Sequence, residues 1–222
     1  MIDAVVEKSP VRFIDYDATR FDFAALLRER IDADDLTMLT IDSAGKEGWS
    51  IYKVMEQSWS YREWWELTET PVFIDLYAAF VREVVIPVFD EPVLVQSCPT
   101  PRIVYANQSG SPRFHKDVDY GHSENETNFQ VALTPCFATN AMWLEDSAGS
   151  ADYRPIEYDV GTMAMFDGAN LSHGAMPNDT GRSRVSFDFR AIAVKHAEES
   201  HRAGPNFQGG PSRGAHVFTC FA

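Results

Sequence analysis

Arg113-Phe114-His115-Lys116-Asp117-Val118-Asp119-Tyr120 is the stretch on which the fold of this 222-residue chain turns. His115 and Asp117 stand two residues apart. On a strand such residues project from one face; on a helix they point nearly opposite ways. If they share a ligand, the segment is extended. Its composition permits that, because Phe114, Val118 and Tyr120 suit a strand and no Gly or Pro interrupts them. A neutral imidazole beside a carboxylate suits a borderline divalent metal ion. Competitors lie close by. Asp119 shares the expected strand face of Asp117, and His122-Ser123-Glu124 repeats the spacing as H-x-E. The downstream sequence favours His115 and Asp117.

Residues 161–166 form a short strand-like run, and the turn Asp167-Gly168-Ala169-Asn170 leads into Leu171-Ser172-His173-Gly174. Arg184 follows His173 by eleven residues, across the turn-forming stretch 177–181. This predicts two adjacent antiparallel strands joined by a loop, with His173 and Arg184 at their ends. From Arg184 to Val194 the chain alternates. Val185, Phe187 and Phe189 point one way; Arg184, Ser186, Asp188 and Arg190 point the other. A polar row in so apolar a strand lines a cavity. Arg184 and Ser186 together suit a carboxylate, which can accept a guanidinium fork and a hydroxyl from the same face. With His173 added, His115 and Asp117 complete a two-histidine, one-carboxylate set with three coordination positions open, the arrangement of non-haem Fe(II) oxygenases.

In order and spacing, His115-x-Asp117, His173 and Arg184-x-Ser186 resemble the Fe(II)/2-oxoglutarate-dependent oxygenases. More narrowly, residues 114–122 and 184–190 resemble the small bacterial group named after a streptomycin-biosynthesis hydroxylase. The resemblance covers roughly residues 100–195 and neither the N-terminal part nor the tail. It implies a double-stranded β-helix (a jelly-roll or cupin-like barrel), with Fe(II) on His115, Asp117 and His173. 2-Oxoglutarate would be the cosubstrate and O2 the oxidant, with Arg184 and Ser186 on the far carboxylate. Related halogenases replace the carboxylate ligand by a small residue, so Asp117 points to hydroxylation or another oxidation and away from halogenation. Asn140, in Thr139-Asn140-Ala141-Met142-Trp143, resembles the family turn that donates hydrogen bonds near 2-oxoglutarate. Asn128 and Gln130 are expected to face the same interior as Asp117. Trp143, Gln130, His122, Asp188 and Arg190 are the residues expected near substrate, although Asp188 and Arg190 could instead pair with each other. The substrate implied is a small polar molecule such as an amino acid or natural-product intermediate.

Composition sets the outer bounds. The length and a hydrophobic content of 45% suit a single domain. Its expected parts are a helix-and-strand annex over about 1–90, a core over about 91–195 and a tail over 196–222. A net charge of −14 argues against nucleic acid and anionic membrane as partners. Cys98, Cys136 and Cys220 show neither zinc spacing nor a disulfide framework, which suits a reducing cytoplasm. The first residues lack the pattern of a signal peptide. Oligomeric state stays open, a homodimer included.

Around the core, strands are expected at 9–18, 36–41, 93–96, 102–105, 128–134, 141–145, 153–158 and 162–166. Asp22 is placed to cap a helix to about residue 32. Pro71 opens another, with Phe73, Leu76, Tyr77, Phe80, Val81 and Val84 on one stripe. Segment 49–65 holds Trp49, Trp59, Trp64 and Trp65. It reads either as packing against the barrel or as an aromatic lid over its mouth. Two rival functions remain: a cupin-like metal-binding barrel acting as a sugar-binding or isomerase module, and a peptide or protein hydroxylase with that segment as its groove.

Overall fold

The computed structural model describes residues 10–41, 58–106, 114–199 and 218–221. Its strands are β1 (Val11–Asp15), β2 (Val93–Gln96), β3 (Thr100–Val104), β4 (Glu126–Ala132), β5 (Met142–Glu145), β6 (Tyr153–Ile156), β7 (Thr162–Phe166), β8 (His173–Ala175), β9 (Arg184–Ala193) and β10 (Phe218–Thr219). Three α-helices are described: α1 (Phe23–Arg30), α2 (Trp59–Thr68) and α3 (Pro71–Phe80). The large sheet runs β1-β7-β4-β9-β2-β10, with β3 also on β9; the small sheet runs β6-β5-β8. Every pairing is antiparallel. The two sheets face each other without closing into one, as a jelly-roll does.

The alternation of β9 explains the architecture. Its outward residues Val185, Phe187, Phe189 and Ala191 meet Phe23, Leu27, Trp64, Phe73, Tyr77 and Phe80 of the helices in one apolar core. Its inward row faces the small sheet. A second, smaller core fills that space, with Ala132, Ala164 and Phe166 from the large sheet and Met142, Leu144 and Ile156 from the small one. The large sheet is therefore buried on both faces. Its two cores differ in chemistry, which is why the strand alternates apolar with polar.

The helices form where their ends are capped and their stripes buried. Asp22 Oδ1 accepts from the Ala25 amide at 2.8 Å and starts α1. Pro71 opens α3, which continues through a π turn (Val81–Val85) and a 3-10 turn (Ile86–Val88). Trp64 and Tyr77 lock the helices to the sheet. The Trp64 indole donates to the Ser186 carbonyl at 3.2 Å, and the Tyr77 hydroxyl donates to Gln96 O at 2.8 Å. β1 and β10, the first and last described strands, both join the large sheet.

Three expectations are corrected. Residues 114–120 do not form a strand, and Arg113 lies outside the described residues. His115 makes a single bridge to His173, and Asp117–Tyr120 is a 3-10 turn. Local bonds decide this. Asp119 Oδ2 accepts the Lys116 amide at 3.2 Å, and Gly121 closes the turn at φ +96°. Second, the stretch expected as a strand over 36–41 begins as a 3-10 turn (Leu36–Met38), capped by Asp35 on the Thr37 amide at 2.8 Å. Third, β8 and β9 are not neighbours but lie in opposite sheets. The connection between them is a crossover pinned to the end of β3, where Asn178 Nδ2 donates to Tyr105 O and Arg182 O, each at 2.9 Å.

Candidate metal centre

The three candidate ligands meet where the two sheets face each other. His115 and His173 exchange backbone hydrogen bonds at 3.0 and 2.9 Å, which brings their rings to 4.6 Å. The 3-10 turn docks on the loop before β8, where the Asp117 amide donates to Gly168 O at 3.0 Å. Gly168 is needed there, because a Cβ would stand 2.8 Å from the Asn128 amide group. One ligand atom from each of His115, Asp117 and His173 lies within 4.8 Å of the others. Asp117 Oδ1 is 3.5 Å from His115 Nε2 and 3.6 Å from His173 Nε2. Donors about 2.1 Å from one ion and at right angles stand about 3 Å apart, so a small adjustment closes this set on a metal.

Electrostatics prepare the ligands. Burial pushes the Asp117 carboxyl up, but the Arg190 guanidinium, then His115 and His173, outweigh it and hold the group well below the carboxylate range. Asp117 is therefore an anion, although only 2% exposed. Its Oδ2 accepts from Asn128 Nδ2 at 2.7 Å and from Arg190 Nη2 and Nε at 2.8 and 2.9 Å. Oδ1 is left toward the histidines. Burial lowers the His173 imidazole against the opposing pull of Asp117, so it is neutral near pH 7. Its Nδ1 lies 3.1 Å from Leu171 O. Donation there turns the Nε2 lone pair toward Oδ1. The His115 side chain is 25% exposed and marks the open side.

The inward row of β9 carries the residues expected to hold a carboxylate. Arg184 and Ser186 are buried, and Arg184 Nη1 donates to Gln130 Oε1 at 3.2 Å. Arg184 Nε and Ser186 Oγ are buried with no hydrogen-bond partner among the described residues. A guanidinium N–H and a hydroxyl left so are costly. One carboxylate accepting from both would satisfy them. The sequence reading missed Tyr158, whose hydroxyl donates to Gln130 Oε1 at 2.9 Å and so fixes the amide that holds Arg184.

The other expected residues divide. Gln130 does face the interior, as a holder of Arg184. Asn128 faces it too, bonded to Asp117, with its Oδ1 unpartnered among the described residues. Asn140 is given a different task from the cosubstrate role. Its Oδ1 accepts the Phe137 amide at 2.8 Å and holds the 138–140 turn. Trp143 is displaced from the interior: Leu144 pairs with His173, so Trp143 lies on the opposite face of the small sheet. Asp188 and Arg190 do not pair with each other. Arg102 takes Asp188, with Nε–Oδ1 at 2.6 Å and Nη2–Oδ2 at 3.1 Å, and Arg190 takes Asp117. His122 Nδ1 meets Glu126 Oε2 at 2.7 Å. The rival ligands fall away: Asp119 caps its own turn, and Glu124 is exposed. The exposed Arg182, two residues before Arg184, donates through Nη1 to Thr37 Oγ1 at 3.5 Å.

No protein-family model matches the chain. It is 29% identical over 189 residues to the streptomycin biosynthesis protein StrG of Streptomyces griseus, covering 84% of this chain and 87% of StrG. EctD from S. alaskensis, solved with 2-oxoglutarate and 5-hydroxyectoine, aligns with TM-score 0.56 and 18% identity over 89% of this chain and 81% of EctD. HygX from Streptomyces hygroscopicus, solved with nickel and 2-oxoglutarate, aligns with TM-score 0.50 and 12% identity over 84% and 83%. In fold the chain resembles Fe(II)/2-oxoglutarate-dependent oxygenases, it brings a two-histidine, one-carboxylate cluster together as such a site needs, and in sequence it is similar to StrG.

Proposed function

We propose that the chain is an Fe(II)- and 2-oxoglutarate-dependent oxygenase that hydroxylates a small polar substrate, an amino acid or a natural-product intermediate. The observation that carries this reading is a pair of buried donors, Arg184 Nε and Ser186 Oγ, with no partner among the described residues, inside the barrel that also holds the triad. His115, Asp117 and His173 would hold the metal. Arg184 and Ser186 would hold the far carboxylate of 2-oxoglutarate and set its direction in the barrel. Bound iron would supply oxidation of an unactivated C–H bond by O2, coupled to decarboxylation of 2-oxoglutarate to succinate and CO2. The chain's own part is to bind, orient and keep water from the reacting groups. The likeness to StrG supports a natural-product intermediate as substrate.

The rivals fit less well. A cupin-like sugar-binding or isomerase module has no use for the two unpaired donors of the clamp. A peptide hydroxylase would use the aromatic segment as a groove, yet Trp64 is wholly buried in the core. Trp59 is exposed, and Trp49 and Tyr52 lie outside the described residues. The test is succinate release from 2-oxoglutarate with Fe(II) and O2, across panels of amino acids, amino sugars and peptides. Release stimulated by one small molecule, with a product heavier by one oxygen atom, supports the reading. Stimulation by peptides alone, or no turnover in any panel, contradicts it.

A further inference from the structure

The side-chain donors on Asp117 gather on one of its two oxygens. A buried carboxylate has two oxygens of equal basicity, and nothing in its own chemistry stops it from chelating an ion through both. Here they are made unequal. Oδ2 accepts three N–H groups: the Arg190 fork through Nε at 2.9 Å and Nη2 at 2.8 Å, and Asn128 Nδ2 at 2.7 Å. Oδ1 faces His115 Nε2 and His173 Nε2. Three donors in hydrogen-bond range saturate the lone pairs of Oδ2.

The holders are themselves held. Asn128 and Arg190 are register partners across β4 and β9, so the two donors approach from adjacent strands of the rigid central sheet. Glu126, on the same inward face of β4, places Oε2 at 3.7 Å from Arg190 Nε and at 2.7 Å from His122 Nδ1, and its Oε1 accepts the Ser123 amide at 3.1 Å. Asp117, Glu126, Asn128 and Arg190 are all buried. The pattern suits a fixed support more than a substrate pocket, since every charged member already has a partner.

We infer that Arg190 and Asn128 are positioning residues that restrict Asp117 to a single coordinating oxygen. Arg190, expected from sequence near the substrate, acts through the metal ligand instead. Occupying Oδ2 keeps one more coordination position open for small molecules than a chelating carboxylate would. The inference rests on the metal reading above.

The test uses Co(II) as the probe, with the apoprotein prepared in chelator and checked for folding by circular dichroism. Co(II) is titrated into wild type, Arg190→Met and Asn128→Ala, followed by its visible d–d bands and by calorimetry. X-ray absorption at the cobalt edge reads the distance to the carboxylate carbon, which is shorter when both oxygens bind than when one does. The expected result is a saturable site in wild type. Each variant should bind about 10- to 100-fold more weakly, the loss typical when a support behind a ligand is removed. Its bands should shift, and the carboxylate carbon should move closer to the cobalt, as it does when both oxygens bind. If Arg190→Met does not fold, Asn128→Ala removes one of the three donors and reads the same effect in smaller size. A carboxylate carbon that keeps its wild-type distance in folded Arg190→Met, or in Asn128→Ala where that alone folds, overturns the inference whatever the affinity, and leaves the metal site standing. Absence of Co(II) binding by folded wild type overturns the metal site, and the inference with it.

Discussion

Removing the Ser186 hydroxyl takes away a buried group that has no partner among the described residues. In the apoprotein Ser186→Ala should therefore leave urea stability unchanged or raise it by up to about 1 kcal/mol. The affinity for 2-oxoglutarate should fall about 10-fold or more, since a hydrogen bond to a charged group is worth roughly 1.5–3 kcal/mol. A large stability loss with unchanged affinity would mean that the hydroxyl is structural. His173 gives a pH test. Burial, opposed by Asp117, sets its native proton affinity below the ordinary value. As pH drops from about 7 toward 5 the unfolded chain takes up that proton before the native one does, so apoprotein stability should fall. Asp117 has the same sign lower down: its stabilisation is present above the ordinary carboxyl value and lost as pH falls through the depressed one. Urea unfolding in chelator at about pH 7 and about pH 5 should show a steeper loss in wild type than in His173→Gln; equal slopes would contradict the assignment. The meeting of His115, Asp117 and His173 was legible because donor types in that order and spacing suit one metal ion. The partner of Arg190 was not. The sequence offers Asp188 two residues away, but the carboxylate that reaches it is 73 residues earlier in the chain, brought there only by the fold.

Among the elements, β9 was readable because its two faces meet different chemistry, so a period of two showed in composition. The stretch 114–120 was misread for the opposite reason. A strand puts residues two apart on one face, but a one-residue bridge followed by a 3-10 turn converges them as well. The bonds that choose the turn, at Asp119 and Gly121, leave no periodic trace. Likewise the short link from His173 to Arg184 looked like a hairpin, whereas the contacts of Asn178 make it a crossover between sheets. For α2 the sequence left packing and lid open. The structure buries Trp64 against Phe73 and Phe187. Trp64→Ala should cost about 3–5 kcal/mol in urea unfolding, the usual loss for a large buried aromatic. A loss under about 1 kcal/mol would return the segment to the lid reading.

At the scale of the molecule, the helices bury one face of the large sheet and the small sheet covers the other, so the polar row of β9 sits between two apolar layers. Among the described residues no helix is long and apolar enough to cross a membrane. The metal should tie the two sheets together, because His173 belongs to the small one and the support of Asp117 to the large one. Metal at 100 times its dissociation constant adds about 2.7 kcal/mol. For a chain of this size that should raise Tm by roughly 5–10 °C over the chelated protein. Calorimetry with and without Fe(II) under nitrogen checks this, and an unchanged Tm would argue that the ligands do not bind as a set. The central claim is a metal on His115, Asp117 and His173 sharing one barrel with a carboxylate clamp on Arg184. Its most direct test is an anaerobic titration of the apoprotein with Fe(II) and then 2-oxoglutarate, recorded in the visible. The account predicts a weak charge-transfer band that saturates in wild type, needs at least about 10-fold more 2-oxoglutarate in Arg184→Ala, and is absent in His173→Ala. No band in folded, iron-loaded wild type, or a band indifferent to Arg184, would contradict it.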